Sequence, residues 1–150
     1  MIDEPFEDSR RLTGCNVYFA GSGAALETAR GLAFDDSALD RWRANIALAR
    51  AHLHWPDGEI HLHRHASGAS LAFAAPLDQL YAATEINEWA WWRTADASAE
   101  RYHAPGHAAT WDEASALHTL RLLARAEANP PLVALHDAAA AHRLPFLADD

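Results

Sequence analysis

An α+β fold is what this sequence predicts: a small antiparallel sheet built from two β-hairpins, covered by about four helices. Two observations carry that expectation. Strand-like runs come in pairs joined by short glycine-bearing turns, Gly21-Ser22-Gly23 and Ser67-Gly68, and not by helical crossovers. Around them, apolar residues recur at helical spacing. The 150 residues, half of them apolar, suffice for one domain around one core.

Taken in order, residues 1–8 read as a loose acidic lead-in. Asn16 to Phe19 and Ala24 to Ala29 are expected as the first pair of strands. Asp35-Asp36-Ser37 offers caps for a helix from about Ser37 to Leu53, with Leu39, Trp42, Ile46, Ala49 and Leu53 facing the core. Trp55-Pro56-Asp57-Gly58 breaks the chain. Glu59 to Ala66 and Ser70 to Ala75 form the second hairpin. Pro76, tolerated in a first helical turn, opens a long helix to about Arg93. A polar connection containing Pro105-Gly106 follows. Thr110 to Glu113 has capping-box spacing, with Thr110 as the cap of a helix reaching about Ala128. Asn129-Pro130-Pro131 separates it from a last helix, Leu132 to His142, with Leu132, Leu135 and Ala139 on one face.

Composition narrows the chemistry. A net charge of −9 argues against a nucleic-acid partner. All 12 basic residues are arginine, which excludes a Schiff-base or phosphate-loop lysine. Cys15, the single cysteine, cannot form an internal disulfide and is expected as a small packed thiol. No apolar run suits a membrane span and the acidic start has no leader character, so a cytoplasmic location is expected.

The segment Ser9-Arg10-Arg11-Leu12-Thr13-Gly14-Cys15-Asn16-Val17-Tyr18-Phe19, followed by Gly21-Ser22-Gly23-Ala24-Ala25-Leu26-Glu27, carries a family resemblance. It resembles the N-terminal segment of cyanophycin synthetase-like members of the Mur ligase family, with Cys15 where the family has proline. The order of hairpin, helix, hairpin, helix and two further helices resembles the same domain. Ala139 to Leu147 resembles the stretch leading into the ATP-binding part of these ligases. The histidine beside the helix glutamate of cyanophycin synthetases proper is absent, since Ile86 follows Glu85 and Trp89 follows Glu88. The resemblance implies one accessory domain over 1–150 that docks substrate or organises the assembly. The parent enzyme would use ATP and Mg to activate a carboxylate as an acyl phosphate and join it to an amine. Downstream ligase domains would do that chemistry; no catalytic residue maps here and this domain holds no cofactor. Expected partners are those ligase domains, a cationic or peptide-like substrate and a second copy of the chain.

Two side-chain groups are candidates for binding. At helical spacing Leu77, Leu80, Tyr81, Thr84, Trp91 and Trp92 share one face, with Glu88 at its centre and Glu85 at its edge. Glu85, Glu88 and Trp92 are therefore candidate substrate-binding residues, a carboxylate pair walled by aromatics that grips a cationic group. The alternative is a buried Glu88 held by Arg43 or Arg50, with Glu85 solvated. Trp89 lies off that stripe and is expected to be exposed as a contact surface, or to widen the apolar face.

His61, His63 and His65 alternate along a strand and project from one face, opposite Ile60 and Leu62, with His52 and His54 just before. They are candidate metal ligands. Neighbours on one strand face sit about 7 Å apart, so an ion requires the rings to converge. The alternatives are a plain polar outer face or a pH-responsive one. The glycines read as turns, not as a phosphate cradle, because no Gly-Lys-Ser/Thr follows. With no nucleophile–base pair in evidence, two function classes remain. One is the ligase accessory domain; the other is a stand-alone binding module using the histidine strand for metal or pH-dependent protein contacts.

Overall fold

The computed structural model describes residues 4–95 and 112–144. They form β1 (Phe6–Leu12), β2 (Gly23–Thr28), α1 (Asp36–Leu53), β3 (Ile60–His65), β4 (Gly68–Ala74), a 3-10 turn (Leu77–Gln79), α2 (Leu80–Ala95), α3 (Glu113–Glu127) and α4 (Pro130–Ala141). The strands make one antiparallel sheet in the order β1-β2-β4-β3, so two hairpins are joined through β2 and β4. The fold class is α+β as expected. β3 and β4 are joined by the short turn at Ala66-Ser67, whereas β1 and β2 are joined by the loop 13–22 and not by a short turn at Gly21-Ser22-Gly23.

The helix α1 begins where its cap chemistry dictates. Asp35 accepts from the backbone N–H of Ala38 at 3.0 Å, and the Ser37 hydroxyl donates to the same carboxylate oxygen at 2.7 Å. Those bonds favour the charged form and hold the Asp35 pKa below its usual range, the Ser37 bond contributing most. Leu39, Trp42, Ile46 and Ala49 are buried as the spacing requires, and Leu53 packs against the core from a half-buried position. His54 ends the helix in the left-handed region, φ 58°.

The second hairpin turns through Ala66 and Ser67. Gly68 has φ +151°, and a Cβ there would strike the Thr28 hydroxyl, the same oxygen that accepts from Ala69 N. Only glycine fits both the backbone and the contact.

Three expectations are corrected. The first strand is Phe6–Leu12, which begins within the segment 1–8 read as a lead-in and runs past it, while Asn16 to Phe19 is loop. β1 is an edge strand, and an edge accepts the charges that mask its strand character. A β-bulge between Phe6 and Asp8 puts Phe6 against Trp92 on the helix side and Asp8 on the opposite face. Trp89 is not an exposed ring: Trp89, Trp91 and Trp92 are 0%, 0% and 2% exposed. α2 packs against β1, β2, α1 and α3, so it is buried around most of its circumference and a single-stripe reading fails. The cap of α3 is Asp112, which accepts from Ser115 N at 3.1 Å; Thr110 and Trp111 lie outside the described residues. Pro105-Gly106 and residues 145–150 lie outside them too.

α4 rests on the 3-10 turn, where the buried Asp78 accepts from Asn129 N at 2.7 Å. Leu132 and Ala139 are half-buried while Leu135 is 62% exposed.

Candidate functional site on the outer sheet face

The sheet has two unlike faces. Ala24, Leu26, Ala69, Leu71 and Phe73 point to the helices with Ile60 and Leu62. The opposite residues form cross-strand rows: Asp8, Glu27, Ser70 and His63 in one, Arg10, Ala25, Ala72 and His61 in the next. Among the described residues no helix packs on this outer face. Its far end is covered by the loop 13–22, whose Tyr18 and Phe19 pack with Leu12, Ala25 and Ala72.

The loop owes its shape to Asn16. Its amide donates to the carbonyls of Gly14 and Gly21 at 2.8 and 2.9 Å, and its oxygen accepts from Tyr18 N and Phe19 N at 2.9 and 3.0 Å. One side chain thus does the work of a backbone turn, which is why this stretch is not a strand. Gly23 completes the closure, because a Cβ there would meet the Phe73 carbonyl and lie 2.7 Å from the Phe19 ring.

Tyr18 is thereby held over the sheet between two functional groups. Its hydroxyl receives a hydrogen bond from Arg10 Nη2 at 3.3 Å, and its ring meets that of His61 edge-on at 5.0 Å. Arg10 also pairs with Asp8 at 3.4 Å. From His61 the imidazoles continue as the spacing predicts, with centroids 6.4 Å apart to His63 and 6.1 Å from His63 to His65. His65 Nε2 then meets Glu27 Oε2 at 3.1 Å, and the other Glu27 oxygen accepts from the Ser70 hydroxyl at 2.5 Å. The Ser67 N–H is 3.3 Å from His65 Nδ1 and can only donate, so Nδ1 accepts and Nε2 carries the proton given to Glu27.

The Ser70 hydroxyl donates to Glu27, the carboxylate that His65 also engages, and His63 is the cross-strand neighbour of Ser70. Among the described residues no group of three His, Cys, Asp or Glu side chains is arranged to hold a metal ion. His61, His63 and His65 share a face, and Glu27 is the carboxylate that meets His65.

The other candidate group is only partly assembled. Glu85 and Glu88 lie half-buried on the outward strip of α2 with Tyr81, whose phenol is pushed up chiefly by the negative charge of Glu85, then by burial and by Glu88. Glu127 sits at the same end, accepting from Tyr81 N and Ala82 N at 2.8 and 2.9 Å. Trp92 is buried, with its ring edge-on to Phe6. Arg50 points away to the sheet, donating to the carbonyls of Gly58, Glu59 and Ala74. Cys15 is exposed in the loop, not packed.

Asp8, Arg10, Tyr18, Glu27 and Ser70 were not legible as site residues, because only strand register brings them together. The one local hint is Glu27, a charge at the end of the apolar run Ala24-Ala25-Leu26. No helix among the described residues is long and apolar enough to cross a membrane. No protein-family model, curated protein or solved structure matches the chain.

Proposed function

We propose that this chain is a non-catalytic docking domain of an ATP-dependent, Mur ligase-like amide ligase acting in the cytoplasm, and that the outer sheet face receives its substrate. The observation that carries the reading is the position of Tyr18. The segment that bears the family resemblance is also the segment that walls this face, through Tyr18 to Arg10 and His61. The face presents both signs of charge, a guanidinium at Arg10 and carboxylates at Asp8 and Glu27, which suits a peptide-like substrate. Glu85 and Glu88 supply a separate acidic strip for a cationic group. ATP and Mg belong to the downstream ligase domains, and a second copy of the chain is a further partner.

Arg10→Gln and Glu27→Gln, made in the ligase that carries this domain, are expected to raise KM for the docked substrate about tenfold with kcat nearly unchanged. Unaltered KM in both variants, or no ATP-dependent amide formation by the parent protein, overturns the proposal.

A second reading rests on the three imidazoles on one face: a stand-alone module that uses His61, His63 and His65 for pH-dependent protein contacts, or for a metal ion, which would require the rings, 6.4 and 6.1 Å apart, to converge. Zinc titration of the dialysed protein distinguishes it. One equivalent bound, with a melting temperature raised several degrees and lost in His63→Ala, supports this reading. Unchanged melting at saturating zinc removes the metal form of it.

A further inference from the structure

We infer that the cleft between residues 30–34 and the β3–β4 turn is a binding site for a small oxyanion, a carboxylate or phosphate group on an organic body. The site is separate from the docking face and does not depend on that reading, although His65 borders both. The cleft has a volume of about 420 Å³, within the range of small-molecule pockets. Its charged and polar side chains are Arg30, Arg64, His65 and Ser67, and no carboxylate lines it. Carboxylates stand just behind this lining: Glu7 accepts from Arg30 N at 3.3 Å, Asp36 pairs with Arg64 at 2.9 Å and Glu27 meets His65 at 3.1 Å. That leaves the Arg30 guanidinium as the charge of the lining with no ion pair among the described residues. At physiological salt, charges beyond about 8 Å are largely screened, so the lining and not the net charge decides what enters.

The two arginines are prepared differently. Arg64 is pre-oriented: its guanidinium lies 4.8 Å over the Phe34 ring, Nη2 donates to the Phe34 carbonyl at 2.9 Å, and Nη1 pairs with Asp36 at 2.9 Å. The Phe34 ring is itself fixed by an edge contact to the buried Trp91 at 5.2 Å. Two of the five guanidinium N–H groups are thereby used, and the rest of the planar fork remains for a ligand whose oxygens match it. The Asp36 carboxylate is 90% exposed, so its hold on Arg64 is weak and solvent-screened. Arg30, also exposed, makes no ion pair among the described residues. Apolar Leu32, Ala33 and Phe34 form the remaining wall, which suits the carbon skeleton of an organic anion.

The test is a titration of the full chain, isotopically labelled, with sodium phosphate and separately with sodium acetate, at ionic strength held constant by sodium chloride. Saturable shifts of the Gly31, Ser67 and Gly68 amides are expected, with Kd at least about tenfold weaker in Arg30→Gln. Arg64→Gln is the second variant, and an unchanged spectrum outside the cleft shows that each still folds. Saturation by both anions supports an oxyanion site in general; saturation by one assigns it to phosphoryl or carboxylate ligands. Linear drift with both anions, shifts scattered over other surface arginines, or an Arg30→Gln protein that titrates like the parent overturns the inference.

Discussion

Arg50→Ala is expected to destabilise the domain by about 2–4 kcal/mol, lowering the melting temperature by roughly 5–15 °C. Arg50 is 4% exposed and reaches from α1 to the end of the sheet where β3 begins and β4 stops. There Nη1 donates to Gly58 O at 3.1 Å, and Nη2 to Glu59 O at 3.3 Å and Ala74 O at 2.7 Å, with the guanidinium 5.3 Å from the Phe73 ring centre. Burial lowers its pKa, with the nearby Asp57 charge opposing, and the guanidinium stays cationic. Each charge-assisted bond is stronger than a neutral one. Gly58 and Glu59 are exposed and their carbonyls recover water after the truncation, which keeps the total below the sum of three such bonds. Arg50→Lys should recover less than half of the loss, because an ammonium cannot span carbonyls that the fork reaches from two nitrogens. Urea melts of the three proteins check this, and a loss below about 1 kcal/mol for Arg50→Ala would refute the staple. The consequence reaches the candidate site: Arg50 holds the start of β3, so amides around His61 should lose exchange protection first.

Asn87→Ala is expected to cost about 2–4 kcal/mol, from a side chain that no functional argument touches. Asn87 is fully buried on α2; its oxygen accepts from the Trp42 indole at 2.9 Å and its amide donates to Leu71 O at 3.1 Å. One residue thus joins α1, α2 and β4. Alanine strands the indole N–H and leaves a cavity. Asn87→Leu keeps the volume but still strands the indole, so it should cost about 1–3 kcal/mol. Combining Asn87→Leu with Trp42→Phe removes both polar partners, and a favourable coupling of about 1–2 kcal/mol is expected in the double-mutant cycle. Strict additivity would show that packing alone, and not the hydrogen bond, accounts for the loss.

These two residues mark where sequence reading succeeds and where it stops. α1 was legible because both its signals are local: a capping carboxylate at Asp35 and apolar residues one turn apart from Leu39 to Ala49. The histidine strand was legible for the same kind of reason, since a period of two puts His61, His63 and His65 on one side whatever they face. β1 was hidden because an edge strand carries charges that a central strand would not. Trp91 and Trp92 are buried as their spacing suggests, but the choice between an exposed and a buried Trp89 stayed open because periodicity reports one stripe, and α2 is enclosed by the sheet and by two helices.

The sequence by itself therefore determined the kinds of elements, most of their limits, and which residues share a face. Those properties follow from repeats of 3.6 and 2 residues, which act over a single turn or pleat. Only the tertiary structure decided what each face meets. The row of Asp8, Glu27, Ser70 and His63 comes from strands far apart in the chain, and the cleft of Arg30 and Arg64 from a loop and a turn some thirty residues apart. Register and packing belong to pairs of segments, so no single segment encodes them.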